Sequence, residues 1–308
     1  MTRPVTLGML NTVFTTVPMA DRRKDLLRQV DHAGQSGCQI VLLPEFADHH
    51  RTKEALAAHG TKSRDKVRRV CSLNMKSSFM RELVGLAKKY KMVVIPNVLL
   101  EKDKRYFNSA VVIGPSGSVL GEYRKTHLPS GEEKFTEAGQ EIKPIATPYG
   151  KIGLMICYDR NYPEIARCHE LQGADLLLWT TMRQGELEES LYRAVLPAMA
   201  ITHGLPLGVA TYVTDHQVMK REVMASVIYN AFGQVVAGGL MTNGVVIGTV
   251  DLDAKPLDRR KWGQPEWVAS SGYLRRRRRP ELYGPLVKPL SKAESNPDNE
   301  PVVMRVKE

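Results

Sequence analysis

The sequence predicts a mixed α/β fold, and three observations predict it. Short apolar runs alternate with amphipathic stretches through the first 100 residues, which is the rhythm of strand–helix units. From about residue 106 the spacing changes to paired runs around Gly- and Pro-containing turns, the signature of hairpins. No Pro/Gly/Ser-rich linker divides the middle of the chain, so the 308 residues read as one large domain over 1–280, followed by an arm at 281–308.

The elements follow in order. "VTLGMLNTVF" (5–14) reads as a first strand. In "ADRRKDLLRQVDHAGQSG" (20–37), Leu26, Leu27, Val30 and Ala33 recur at helical spacing and the glycines end the helix. "CQIVLLPEF" (38–46) is a continuous apolar run, expected of a strand covered on both faces. The polar, basic segment 47–75 is expected outside the main core. A helix over 75–90 leads into the strand "MVVIPNVLL" (92–100). Hairpins are expected over 106–125 and 145–157, a helix over 162–173, and a buried strand over 174–181. A helix over 186–204 is interrupted at Pro197. Strands are expected over 206–213, 225–240 and 244–252, and the tail from 281 is charged, Pro-rich and without periodicity.

Composition removes several classes. Hydrophobic residues make up 43% of the chain, yet no run approaches the ~20 apolar residues a membrane helix needs, and the N-terminus lacks a signal-peptide pattern. Four cysteines are too few for a disulfide framework and none has metal-ligand spacing. The expected setting is therefore the reducing cytoplasm, with free thiols. His49 and His50 adjoin but lack further ligands, so no metal is assigned. The net charge of +11 owes much to the run Arg275–Arg279, which suits a solvated basic loop or a subunit contact. No aromatic-interleaved basic patch or nucleic-acid motif accompanies it, so no nucleic-acid partner is expected.

Reactive groups in α/β folds gather where strands end. Three predicted strands end in Glu45 ("LLPEF"), Lys125 ("YRK") and Cys157 ("LMIC"). A thiol attacks a carbonyl or nitrile carbon as thiolate, so it needs a base or a neighbouring positive charge. Glu45 can supply the first and Lys125 the second, and amides at the turn after Cys157 can face a tetrahedral oxyanion. The alternative stays open on these residues alone: strands often end in charge where the chain meets water, and Cys157 can be a buried small hydrophobe.

Taken together, "LLPEF", "YRKTHLPSGEEKF" and "GLMICYDRNYPE", in that order, resemble the three signature blocks of the nitrilase superfamily of carbon–nitrogen hydrolases. The resemblance runs from about residue 4 to 285 and includes "SVIYNAFGQVVA" and "RRPELYG". It implies a four-layer α-β-β-α sandwich that pairs as a homodimer or higher homo-oligomer, with the C-terminal arm crossing to the partner. It also implies Glu45 as general base, Lys125 as oxyanion-stabilising cation and Cys157 as nucleophile. Glu133, with Glu132 beside it in register, matches the second glutamate, and the backbone amide of Tyr158 would complete the oxyanion hole. The reaction so implied is ping-pong hydrolysis of a small amide through a thioester, without cofactor or metal. Cys157-Tyr158-Asp159-Arg160 is closer to the amidase and N-carbamoyl-hydrolase branches than to true nitrilases, so an amide or carbamoyl substrate is expected over a nitrile. Tyr158, His127, Arg160, Trp179 and Met182 are candidate substrate contacts, though Arg160 can instead pair with Asp159 or Glu164. Cys38, Cys71 and Cys168 read as structural. The segments 47–75 and 211–226 depart from the family pattern where substrate loops are expected.

Overall fold

In the computed structural model, residues 2–13, 15–182, 194–213, 225–240, 242–255, 257–258, 268–269, 275 and 277–289 are described. The first strand–helix units are β1 (Pro4–Val13), α1 (Met19–Gln35), β2 (Ile40–Leu42), α2 (Lys53–Gly60), α3 (Arg64–Cys71), α4 (Ser78–Tyr90) and β3 (Val93–Ile95). The hairpin region follows as β4 (Asn97–Lys102), β5 (Arg105–Ile113), β6 (Val119–Arg124), β7 (Ile145–Thr147) and β8 (Gly150–Ile156). After it come α5 (Pro163–Leu171), β9 (Leu176–Thr180), α6 (Leu196–His203), β10 (Leu207–Val213), β11 (Val227–Tyr229), β12 (Val235–Gly238) and β13 (Gly244–Asp251).

Strands β1, β2 and β3 run parallel as neighbours, as do β8, β9 and β10; antiparallel strands extend each group. The two groups join where the end of β1 pairs with the end of β10, Asn11 opposite Thr211 and Val13 opposite Val213. Side-chain alternation then decides the layering. Leu7 and Met9 of β1, Ile40 and Leu42 of β2, and Val93 and Ile95 of β3 pack against Ile152, Leu154 and Ile156 of β8 and Leu176 and Leu178 of β9. That is the space between two sheets. The intervening residues face outward: Leu10, Val41 and Val94 meet α1 and α4, while Met155, Leu177 and Trp179 meet α5 and α6. Burial of each such side chain contributes roughly 1.5–3 kcal/mol, so a strand apolar on both faces is stable only with cover on both. The four-layer α-β-β-α sandwich follows.

Several local readings change. The run 92–100 divides at Pro96 into β3 and β4, because proline lacks the N–H that a continuous central strand would use. Pro197 lies in the first turn of α6, but residues 194 and 195 before it are already helical and change to the α-helix at Leu196, so the helical path is irregular at the proline. Residues 186–193, the earlier part of that expected helix, lie outside the described residues. The basic segment 47–75 forms α2 and α3, capped by the side chains of Thr52 and Ser63. It builds a small apolar cluster with Phe46 and Leu99, against which Phe135 and Met182 pack.

Of the Arg275–Arg279 run, Arg275 donates to the carbonyl of Leu171, Arg278 stacks on Tyr283 at 5.0 Å, and Arg279 pairs with Glu281. Most of the C-terminal arm, from residue 290, lies outside the described residues. No helix among the described residues is long and apolar enough to cross a membrane.

Candidate functional site

The parallel strands of both sheets deliver their C-terminal ends to one place. β2 leads to Leu43-Pro44-Glu45, β8 leads to Cys157, and β9, whose Thr180 pairs with Ile156, leads to Thr181 and Met182. The end of β6 brings Lys125 to the same point, its N–H donating to the carbonyl of Asn108 at 2.9 Å. Glu45, Lys125 and Cys157, separated by up to 112 positions in the chain, thus meet in one buried cluster.

Lys125 Nζ donates to Glu45 Oε1 at 3.0 Å and to Glu132 Oε2 at 2.6 Å. Asn108 Nδ2 donates to the same two carboxylates, at 2.8 Å each. The remaining oxygen of Glu45 accepts from the Met182 amide at 3.0 Å. Asn108 is itself held by Asn97 at 2.9 Å, and Asn97 accepts the Phe46 amide at 2.8 Å. Such a buried charge network is stable only when each member is satisfied, and here two asparagines and a backbone amide complete it.

Of the two adjacent glutamates, it is Glu132 that reaches this cluster. Glu133, the residue expected from sequence, is exposed. Gly131 takes a left-handed φ of 97° and starts the 3-10 turn Glu132–Lys134, which points its first side chain inward and its second to solvent.

Cys157 is 8% exposed and holds a φ of 46°, unusual for a residue with a Cβ. The strained backbone lifts the thiol off the end of β8 into a turn over 157–161, and strain of this kind collects at functional sites. Burial pushes the thiol up to about 12, and the Glu45 carboxylate adds to this; Lys125 and a hydrogen bond with Thr181 act in the opposite direction. The resting sulfur is thus a neutral thiol in hydrogen-bonding contact with a carboxylate that can take its proton. Burial would lower Lys125, but the charges of Glu45 and Glu132, with the hydrogen bond to Glu132, outweigh it and hold the ammonium above its usual range. Burial also raises Glu132, against the pull of Lys125.

Asp159 ties the nucleophile turn to the lysine loop. Its buried carboxylate accepts from the Ile156 amide at 3.0 Å, Tyr123 Oη at 2.8 Å, Thr126 Oγ1 at 3.1 Å and the His127 amide at 3.0 Å. His127 stacks on Tyr162 with ring centroids 3.7 Å apart, and Tyr158 meets the same tyrosine edge-on at 5.9 Å. Trp179 is fully buried beneath the site, where its indole N–H donates to the Cys157 carbonyl at 3.2 Å; it supports the turn instead of lining a pocket. The Arg160 guanidinium lies 5.7 Å from the Trp179 ring.

Met182 does line a cleft of about 380 Å³, together with Glu132, Phe135, His49, His50, Arg51 and His59. The size suits a small molecule. Arg51, His59 and Asn108 are not singled out by the sequence; Glu132 is named there only beside Glu133, Asp159 only as a partner for Arg160, and His49 and His50 only as a pair without further metal ligands. Asn108 left a signal, a lone amide inside the apolar run of β5; the cleft residues left only the excess of histidine and arginine after Glu45. Residues 214–224, within the second unusual segment, lie outside the described residues. Among the described residues no group of three or more His, Cys, Asp or Glu could hold a metal ion.

Residues 13–255 match the carbon–nitrogen hydrolase family. The chain belongs to that family. Among similar proteins, this carbon–nitrogen hydrolase is 28% identical to N-carbamoylputrescine amidase of Arabidopsis thaliana over 83% of its own length and 86% of the relative's. It is 27% identical to citrullinase of Francisella tularensis, covering 87% of this chain and 93% of that one. A probable nitrilase of Schizosaccharomyces pombe is 33% identical over 58% of this chain, a match that spans 66% of the relative's length. The fold is shared with the carbon–nitrogen hydrolase of Helicobacter pylori G27, at a TM-score of 0.70 and 23% identity, covering 93% of this chain and 99% of that one. It is likewise shared with an amidase of the nitrilase superfamily from Nesterenkonia, at a TM-score of 0.68 and 19% identity, covering 92% and 98%.

Proposed function

We propose that this hydrolase cleaves the C–N bond of a small amide through a thioester on Cys157. Glu45 takes the thiol proton as sulfur attacks the carbonyl carbon. Lys125 Nζ and the Tyr158 amide receive the developing oxyanion. The proton held by Glu45 passes to the departing nitrogen, and ammonia or an amine leaves. Glu45 then draws a proton from water, which attacks the thioester and frees the carboxylic acid and the thiol. Glu132 keeps Lys125 charged and aimed, and no cofactor takes part.

One observation carries the reading: the strained Cys157 turn presents a neutral thiol to Glu45, with the Lys125 ammonium beside both. A carbamoyl substrate is the second reading, supported by the relatives named N-carbamoylputrescine amidase and citrullinase. Its C–N cleavage would follow the same steps and release carbon dioxide as well. We place the chain in the cytoplasm as a homodimer; its four free cysteines and the exposed Val195, Ile201 and Phe232 beside α6 support this.

The test is a panel of short amides, carbamoyl compounds and nitriles, scored for ammonia and for an acyl mass on Cys157. Cys157→Ala is expected to lower turnover by a factor on the order of 10⁴ with an unchanged circular dichroism spectrum. Turnover at the parent rate in that variant would end the proposal.

A further inference from the structure

Two carboxylates share one ammonium at this site. Glu45, Glu132 and Lys125 are all buried, and the thiol of Cys157 beside them is neutral. Like charges this close, away from water, favour uptake of a proton, and a protonated Glu45 has no room for the one on sulfur. Burial and the Glu45 charge both push Glu132 up; Lys125 and a hydrogen bond from Asn108 pull it down. Asn108 thus opposes protonation without adding a charge. It gives both Nδ2 hydrogens to the pair, one to Glu45 Oε1 and one to Glu132 Oε1, at 2.8 Å each.

The sense of that amide is set from behind. The Phe46 N–H can only donate, so Asn97 turns Oδ1 to it at 2.8 Å and Nδ2 to Asn108 Oδ1 at 2.9 Å. Asn108 then has its NH₂ toward the carboxylates; a reversed amide would set a carbonyl oxygen against both. Phe46 follows Glu45 in the chain and holds a left-handed φ of 50°, so the turn that carries the base also orients the donor to it. Lys125 and Asn108 together occupy Glu45 Oε1, at 3.0 and 2.8 Å. Glu45 Oε2 accepts the Met182 amide at 3.0 Å and keeps a second lone pair.

We propose that Asn108 is a positioning residue: its two N–H donors keep the Glu45–Glu132 pair ionised and leave Glu45 Oε2 as the oxygen that takes the Cys157 proton. The role rests on the hydrolase reading above and adds to it the group that holds the base ready. Facing Glu45 are Lys125 from the end of β6, Glu132 from the 3-10 turn and Cys157 from the end of β8, while Tyr212 Oη of β10 donates to its carbonyl at 3.0 Å. Lys125, Cys157 and Tyr212 are all held above their usual ranges and stay protonated on the acid side. An acid limb therefore belongs to the carboxylate pair.

The experiment follows alkylation of Cys157 by iodoacetamide in the full chain from about pH 4 to 9, read at that residue by peptide mass. The parent rate is expected to fall on the acid side as the pair becomes protonated. A carboxylate that loses a donor binds a proton at higher pH. Asn108→Leu removes both donors and nearly keeps the volume, so it should move the limb up by about one pH unit or more. Asn108→Ser leaves one hydroxyl proton and should move it by about half as much. The limb of kcat/KM for any amide turned over should shift with it. Circular dichroism reports folding, and where Asn108→Leu does not fold, Asn108→Ser decides. A limb that stays in place in the folded variants, with only a lower urea midpoint or a uniformly slower rate, makes Asn108 structural and overturns the proposal. Alkylation needs no turnover, so a shifted limb in a chain that hydrolyses nothing in the amide panel would end the hydrolase reading and leave the hold of Asn108 on the pair standing.

Discussion

The two adjacent glutamates show how much one residue's register decides. Glu132 bridges Lys125 and Asn108 in the buried cluster, whereas Glu133 faces water. Replacing Glu132 with Gln removes a buried charge that helps hold the Lys125 ammonium, while Gln keeps the side chain's volume. We expect Glu132→Gln to lower kcat on the order of 10²-fold, and Glu133→Gln to change it by less than about twofold. Steady-state kinetics on any amide that the parent turns over checks the pair. The opposite ranking would mean that Glu133, as the family resemblance implied, belongs to the site. Both are the same residue type in consecutive positions, so only the left-handed Gly131 and the turn after it determine which points inward.

At the scale of elements, the site exists because two loops are locked together. Asp159 accepts hydrogen bonds from the end of β8 through Ile156, from β6 through Tyr123, and from the lysine loop through Thr126 and His127. Asp159→Asn keeps the shape but removes the charge and turns an NH₂ toward groups that themselves donate. The expected cost is about 1–3 kcal/mol in stability, read from urea unfolding. We expect kcat to fall by about tenfold or more, because the loops that Asp159 locks together carry Cys157 and Lys125. A loss of stability with kcat unchanged would reduce Asp159 to a structural residue. In contrast, α2 and α3 could not be placed from their polar composition: their inward face is short, and their apolar partners, Leu99, Phe135 and Met182, come from distant segments.

At the scale of the whole molecule, burial of neutral histidines sets the acid limit of the fold. Burial lowers His203 to about 4 and, with its positive neighbours, His50 to about 3. In the unfolded chain both titrate near ~6.5, so below that pH the unfolded state binds more protons than the folded one. Stability is then fully present above about 6.5 and declines as pH falls toward 4, by up to about 1.4 kcal/mol per pH unit for each group. Thermal melting between pH 7 and 4 should show the decline, and His203→Gln should flatten it. An equal slope in parent and variant would exclude His203 as a source.

Much of this protein was legible from its chain alone, for a definite physical reason. Strands apolar on both faces, amphipathic helices and hairpin turns are local patterns, and they are enough to call for a mixed α/β fold; the four-layer sandwich is what the family resemblance implies. Glu45, Lys125 and Cys157 were readable because each ends a strand within a motif of several consecutive residues. Tertiary structure alone decided what depends on two remote segments meeting: Glu132 over Glu133, the asparagine pair behind the carboxylates, the Asp159 bridge, Trp179 as a support, and a cleft walled by His49, His50, Arg51 and His59. Periodicity tells which face of an element is buried. Which side chain from another element meets that face is set by the packing of the sheets, and no local pattern records it.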